Sequence, residues 1–145
     1  MCIRDSAAAD PSCRNKRSLE KRMRKKKEAG AGFIQTQMVM EKEKLIEFCE
    51  KISNPLELPV IAGVFLLKSY KNALFINKYV PGANIPENIL NRLKDAKNPL
   101  EEGIQIASEQ AHDFINIANG VHLMAVKTEH LIPEIIEKAN LSLEY

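Results

Sequence analysis

No stretch of this chain approaches the roughly 18 consecutive apolar residues that a membrane helix needs, and none is expected to span a bilayer. The start has no apolar h-region, so no secretory signal is expected either. Cysteine is scarce: Cys2, Cys13 and Cys49 stand far apart, with no CxxC pair. That excludes a cysteine-built zinc site and points to structural thiols in a reducing, cytoplasmic compartment. Glycine-rich phosphate loops are missing, and no Ser/His/Asp or Cys/His grouping has local support. The three histidines are isolated: His112 falls mid-helix, His122 in a strand, and His130 beside Glu129 in a loop. None has metal partners at suitable spacing, so no metal site is expected. The methionines form no stripe, and no internal repeat appears.

What remains is an ordinary globular composition, 45% hydrophobic and 28% charged over 145 residues, enough for one domain with a real core. The net charge of +2 conceals an asymmetry. Residues 1–27 carry ten Lys/Arg against three acids, whereas residues 28–145 carry eleven against sixteen. The excess positive charge sits in RNKRSLEKRMRKKK, residues 14–27. Ahead of it, MCIRDSAAADPS has no period and no core pattern. Residues 1–13 are therefore expected to be a disordered or non-native leader, and 14–145 the domain.

The body alternates in type. SLEKRMRKKKEAG reads as a helix closed by Gly30, with Leu19 and Met23 on one face. AGFIQTQMV reads as a strand, and EKEKLIEFCEKI as an amphipathic helix burying Leu45, Phe48, Cys49 and Ile52. LPVIAGVFLL is a nearly continuous apolar strand of the kind covered on both faces. SYKNALFINKYV is helical, and PGANIPENILNRL is a turn and short helix with Pro86 near its first position. Asn98, Pro99 and Glu101 form a capping signature for a long helix carrying Leu100, Ile104, Ala107, Ala111, Phe114 and Ala118, ended by Gly120. VHLMAV is a third strand and LIPEIIEKANL a last helix.

Strand–helix alternation predicts right-handed βαβ units with a parallel sheet. Such proteins build sites at the carboxyl ends of the strands. Gln37 closes the first strand there, LLKSYKN follows the second, and VKTEH the third. An amide offers both a donor and an acceptor, so Gln37 suits the edge of an amide-like heterocycle. Lys68, Ser69, Lys127 and Thr128 supply further donors. Ordinary solvated loop residues are the competing reading for all five.

KKKEAGAGFIQTQ, LPVIAGVFLLKSYKNALFINKYVPGANIPENILNRL, PLEEGIQIASEQAHDFI and GVHLMAV, in that order, resemble the C-terminal part of methylenetetrahydrofolate reductase. The likeness is greatest to the reductase half of bifunctional homocysteine S-methyltransferase/methylenetetrahydrofolate reductase proteins, and it runs from about Leu19 to Leu141. It implies an α/β fold, the C-terminal portion (about three βα units) of a TIM-type (β/α)8 barrel. It further implies an FAD-dependent oxidoreductase of one-carbon metabolism and methionine biosynthesis, reducing 5,10-methylenetetrahydrofolate to 5-methyltetrahydrofolate with NAD(P)H as co-substrate. By the same resemblance Gln37 contacts the folate substrate, with Asn72 a weaker second contact. Lys26, with Lys25 and Arg22 beside it, would hold the cofactor. The family's catalytic acid and flavin-side aspartate have no counterpart, so no catalytic residue is named. Met38, Met40, Glu41, Leu66 and Thr128 depart from the family pattern.

The implied partners are a missing N-terminal half or a fused methyltransferase domain, and further copies of the chain in a homo-oligomer. Two other readings stand beside this one. The fold could serve another barrel enzyme with a phosphorylated ligand. Segment 14–27 could be a nucleic-acid-binding arm, although it has no aromatic residue to stack a base.

Overall fold

The computed structural model describes residues 6–141. Its frame is a parallel sheet of four strands in the order β1-β2-β3-β4: Ser6–Ala9, Phe33–Met38, Val60–Phe65 and Gly120–Met124. Six helices connect and flank them: α1 (Lys16–Glu28), α2 (Lys42–Phe48), α3 (Tyr70–Tyr79), α4 (Glu87–Asp95), α5 (Pro99–Ile115) and α6 (Ile132–Lys138). Each strand pairs in parallel with its sequence neighbour, so all four carboxyl ends open onto one rim.

The first strand corrects an expectation. Residues 6–13 are not a leader apart from the fold, because Ser6–Ala9 pairs with Phe33–Thr36. The stretch alternates, with Ala7 and Ala9 buried and Ser6 and Ala8 exposed. Alanine is depleted in strands and gives no apolar amplitude, so the period-2 signal is nearly silent in the sequence. The rest of the leader segment, residues 1–5 with Cys2, lies outside the described residues.

Hydrophobic patterning explains the packing. Leu19 and Met23 of α1, Leu45 and Phe48 of α2, and Phe114 of α5 meet Ile34, Val60, Ala62 and Val64 in one core. Fully burying such a side chain contributes about 1.5–3 kcal/mol. A second cluster joins Met38 and Leu67 to Ile76 of α3, Ile89 and Leu93 of α4, and Ile106 of α5, seating the α3–α4 pair near the strand exits. Arg92 ties α4 to α5, its Nε 2.7 Å from Glu102 and its Nη1 2.7 Å from Glu109. Pairing with Arg92 holds the Glu109 carboxyl below its ordinary range.

Helix ends follow the capping signals with one exception. Asn15, Ser69 and Asn98 each accept a backbone N–H from the first turn of α1, α3 and α5. The long helix stops at Ile115 rather than at Gly120, which instead begins β4. Among the described residues, no helix is long and apolar enough to cross a membrane.

Candidate ligand site at the strand exits

The residues around Gln37 explain why an apolar strand finishes on TQ. Pairing of β2 with β3 is regular at Gln35↔Ile61 but has shifted by Met38↔Gly63. At the shift, the Thr36 hydroxyl replaces part of the ladder: Oγ1 accepts from Gly63 N at 2.9 Å and donates to Gln37 O at 2.8 Å. Regular pairing resumes where Val39 N donates to Gly63 O. Position 63 must be glycine, since a Cβ there would lie 2.8 Å from Gln37 O and 2.9 Å from Thr36 O. Irregularities of this kind re-aim a side chain beside a site. Here the kink leaves Thr36 buried and Gln37 half-buried at the rim.

Gln37 meets polar groups there. Its Nε2 donates to Pro81 O at 2.8 Å, in the turn between α3 and α4. Gly82, at φ 81°, carries the turn past its Oε1 and past Asp10, which follows β1. Asp10 also shapes its own loop, Oδ1 accepting from Ser12 N at 2.8 Å.

A cleft of about 500 Å³ runs from this corner between α1 and the first two strands. Arg22, Lys26, Asp10, Gln35 and Gln37 line it. Three sequence-chosen residues, Gln37, Lys26 and Arg22, thus come together in one cleft. Lys26 Nζ donates to Ala8 O at 2.5 Å, and Arg22 Nη2 reaches Cys13 Sγ at 3.6 Å. Lys25 is exposed and does not line the cleft.

Asn72 stands apart from that cleft. Its Oδ1 accepts from Lys68 N at 3.2 Å and its backbone N–H donates to Ser69 Oγ, so the side chain shapes the start of α3. Of the other rim residues, Lys68 Nζ donates to Val126 O at 3.0 Å, and the backbone N–H of Lys127 donates to Glu129 Oε1 at 3.0 Å. Lys127 adopts a left-handed φ of 60°. Backbone donors, those of Glu129 and Lys127, hold the Glu129 carboxyl below its ordinary range.

The basic segment is helix α1, seated by Leu19 and Met23, and not a free arm. Part of its charge is paired within the chain, Lys16 with Glu47, Arg24 with Glu20 and Lys27 with Glu57. Among the described residues, no group of three or more His, Cys, Asp or Glu is placed to hold a metal ion.

Sequence reasoning missed Asp10, Gln35 and Gly63. Asp10 follows a strand too short to recognise, and Gln35 reads as one of two equivalent glutamines. The glycine inside an otherwise apolar run at Gly63 is the one available signal of a bulge or close backbone approach.

The family model for methylenetetrahydrofolate reductase matches residues 6–140. No curated protein matches the chain by sequence. Among solved structures, an uncharacterized protein from Clostridium thermocellum, described as binding two copies of 5-methyl-5,6,7,8-tetrahydrofolic acid, superposes with a TM-score of 0.69 at 20% identity. The superposition covers 92% of this chain and 51% of that one, so this chain spans about half the length of its structural neighbour. At that identity the likeness concerns the fold.

Proposed function

Because the chain belongs to the methylenetetrahydrofolate reductase family, we propose that it is the C-terminal part of a (β/α)8 barrel that reduces 5,10-methylenetetrahydrofolate to 5-methyltetrahydrofolate. The observation that carries this reading is the placement of Gln37, turned by the Thr36–Gly63 irregularity onto the rim of a parallel sheet, in one cleft with Arg22 and Lys26. The sheet edges at β1 and β4, unpaired among the described residues, suit strands supplied by a further half of such a barrel.

The donor set fits FAD. A guanidinium and an ammonium lining one cleft suit its pyrophosphate through charge-assisted hydrogen bonds. The family's flavin, when bound, supplies the hydride relay from NAD(P)H to the folate. In this reading Arg22 and Lys26 would hold the phosphates. Lys25 adds only to the local potential. Gln37 binds the folate as a neutral donor–acceptor pair, giving orientation without placing a charge beside the reacting ring. Asn72 acts indirectly, by fixing the turn that carries Lys68. The general acid lies outside this chain.

Two preparations test the reading. The chain alone should neither hold FAD tightly nor oxidise NADH, because its part of the site is incomplete. A longer product that includes upstream coding sequence should purify yellow, with flavin absorbance near roughly 450 nm, and should turn over methylenetetrahydrofolate. A colourless, inactive longer product would overturn the proposal. So would retention of RNA or DNA with a steep salt dependence and no affinity for folate, which would favour α1 as a nucleic-acid surface.

A further inference from the structure

A second amide stands beside Gln37 on the same strand. Gln35 stands two residues before Gln37 on β2, and its Nε2 lies 2.6 Å from Nδ1 of His122 on β4. These strands are not neighbours, for β3 runs between them. Adjacent strands sit about 4.8 Å apart, so the two side chains close a gap of roughly twice that. They meet at the level of Gly63, the register partner of His122, where β3 presents no side chain. The glycine that permits the kink at Gln37 therefore also leaves this crossing open. In the sequence His122 stands as an isolated strand histidine.

With the amide nitrogen facing the ring, Nδ1 of His122 is the acceptor in this contact, which calls for the tautomer with its proton on Nε2. Committing Nε2 in this way fixes the direction of the whole amide. Gln35 lines the cleft, and among the described residues no group donates to its Oε1.

We infer that His122 is a positioning residue that locks the Gln35 amide, giving the cleft a fixed acceptor beside Gln37 and favouring ligand edges that carry an N–H donor. The inference rests on the reading that a folate occupies this cleft, since the amide edge of a pterin presents such donors. An unlocked glutamine could rotate to offer its NH₂ instead and would discriminate less. A ligand presenting an acceptor there would leave two oxygens facing each other without a proton, the arrangement a polar site rejects most strongly.

Two readouts test it. The first is ¹⁵N NMR of the His122 ring in the wild-type chain and in Gln35→Leu. The wild type should show a neutral ring with Nδ1 as acceptor and the proton on Nε2, and Gln35→Leu should redistribute the tautomers. A protonated Nδ1 in the neutral wild-type ring, or identical spectra for the two proteins, would overturn the inference. The second is titration with 5-methyltetrahydrofolate of the wild type, His122→Leu and His122→Asn. The carbonyl of asparagine can take the place of Nδ1 as acceptor. His122→Leu should therefore bind about tenfold more weakly, and His122→Asn should recover to within about threefold of wild type. Equal affinity in His122→Leu would overturn the inference. The titration uses the longer product that includes upstream coding sequence; if that product binds no folate, the functional reading fails, and the NMR readout decides the role of His122.

Discussion

Gln37 donates an amide proton to Pro81 O across 2.8 Å, so the exit of β2 and the turn joining α3 to α4 are tied through the side chain proposed to meet the ligand. The tie is polar and half-exposed, and it mimics what a heterocycle edge would offer. The Pro81 contact takes one N–H of the amide, so a ligand can meet the second N–H or Oε1 while that contact holds the side chain at the rim. Gly82 makes this approach possible, since a Cβ there would sit 2.9 Å from both Gln37 Oε1 and Asp10 Oδ2.

Gln37→Ala removes one solvent-accessible hydrogen bond. Its cost to stability should be small, about 0.5–1 kcal/mol, whereas affinity for 5-methyltetrahydrofolate should fall about tenfold. Thermal melting and isothermal titration separate the two effects. A large loss of stability with unchanged affinity would make the amide a structural tie and remove it from the binding site.

Thr36→Val keeps the shape of the side chain but strands the Gly63 N–H, which the hydroxyl now satisfies at 2.9 Å in a buried position. An unpaired buried donor costs about 1–3 kcal/mol, so the urea midpoint should drop accordingly. Gly63→Ala should cost more, because the added carbon meets backbone oxygens that cannot swing away. A neutral outcome for both would mean that β2 and β3 can re-register, and the placement of Gln37 would lose its cause.

Strong local periodicity explains which parts of this fold were legible. The strands at 33–38, 60–65 and 120–124, and the helices between them, carry apolar patterns that no tertiary contact has to override. The Asn98 cap was readable because its chemistry is local. Ser6–Ala9 was not, since an edge strand of small residues becomes a strand only through β2. The site divides in the same way. Gln37 announced itself by ending an apolar run, but its kink depends on Gly63, 26 positions away in the sequence numbering. Asn72 was named only through the family resemblance, and no local pattern shows that its oxygen accepts from Lys68 N. The Gln35–His122 pair joins non-adjacent strands, and no local pattern encodes that.

Charge reversal separates the basic residues of α1. Arg22 and Lys26 line the cleft, whereas Lys25 is exposed outside it. In a longer product found to bind flavin, Lys26→Glu or Arg22→Glu should weaken FAD binding by about tenfold or more, with Lys25→Glu within a factor of about three. Flavin fluorescence quenching at two salt concentrations provides the measurement, and raising the salt should narrow the differences. Equal effects from all three substitutions would indicate a diffuse potential rather than a phosphate seat.

Cys49 offers a pH test of the core that involves no ligand. Burial, chiefly, and the neighbouring Glu50 charge push its thiol up to about 11 from an ordinary value of 9.0. The folded chain therefore disfavours the thiolate while the unfolded chain ionises freely. A raised folded-state value means that this stabilising contribution is complete below about pH 9 and is lost as the pH climbs from about 9 towards 11. Other groups titrate in that window, so the informative quantity is a difference. Urea unfolding of wild type and Cys49→Ala across pH 8–11 should show the wild type losing stability more steeply. Below pH 9 the variant should be uniformly weaker, having lost the packing of a buried side chain beside Leu45 and Phe48. Iodoacetamide at pH 8 should label the half-buried Cys13 quickly and reach Cys49 only once denaturant opens the core. Parallel pH profiles for the two proteins, or prompt labelling of Cys49 in the native state, would show that the thiol is solvated and that α2 does not close over the sheet as described.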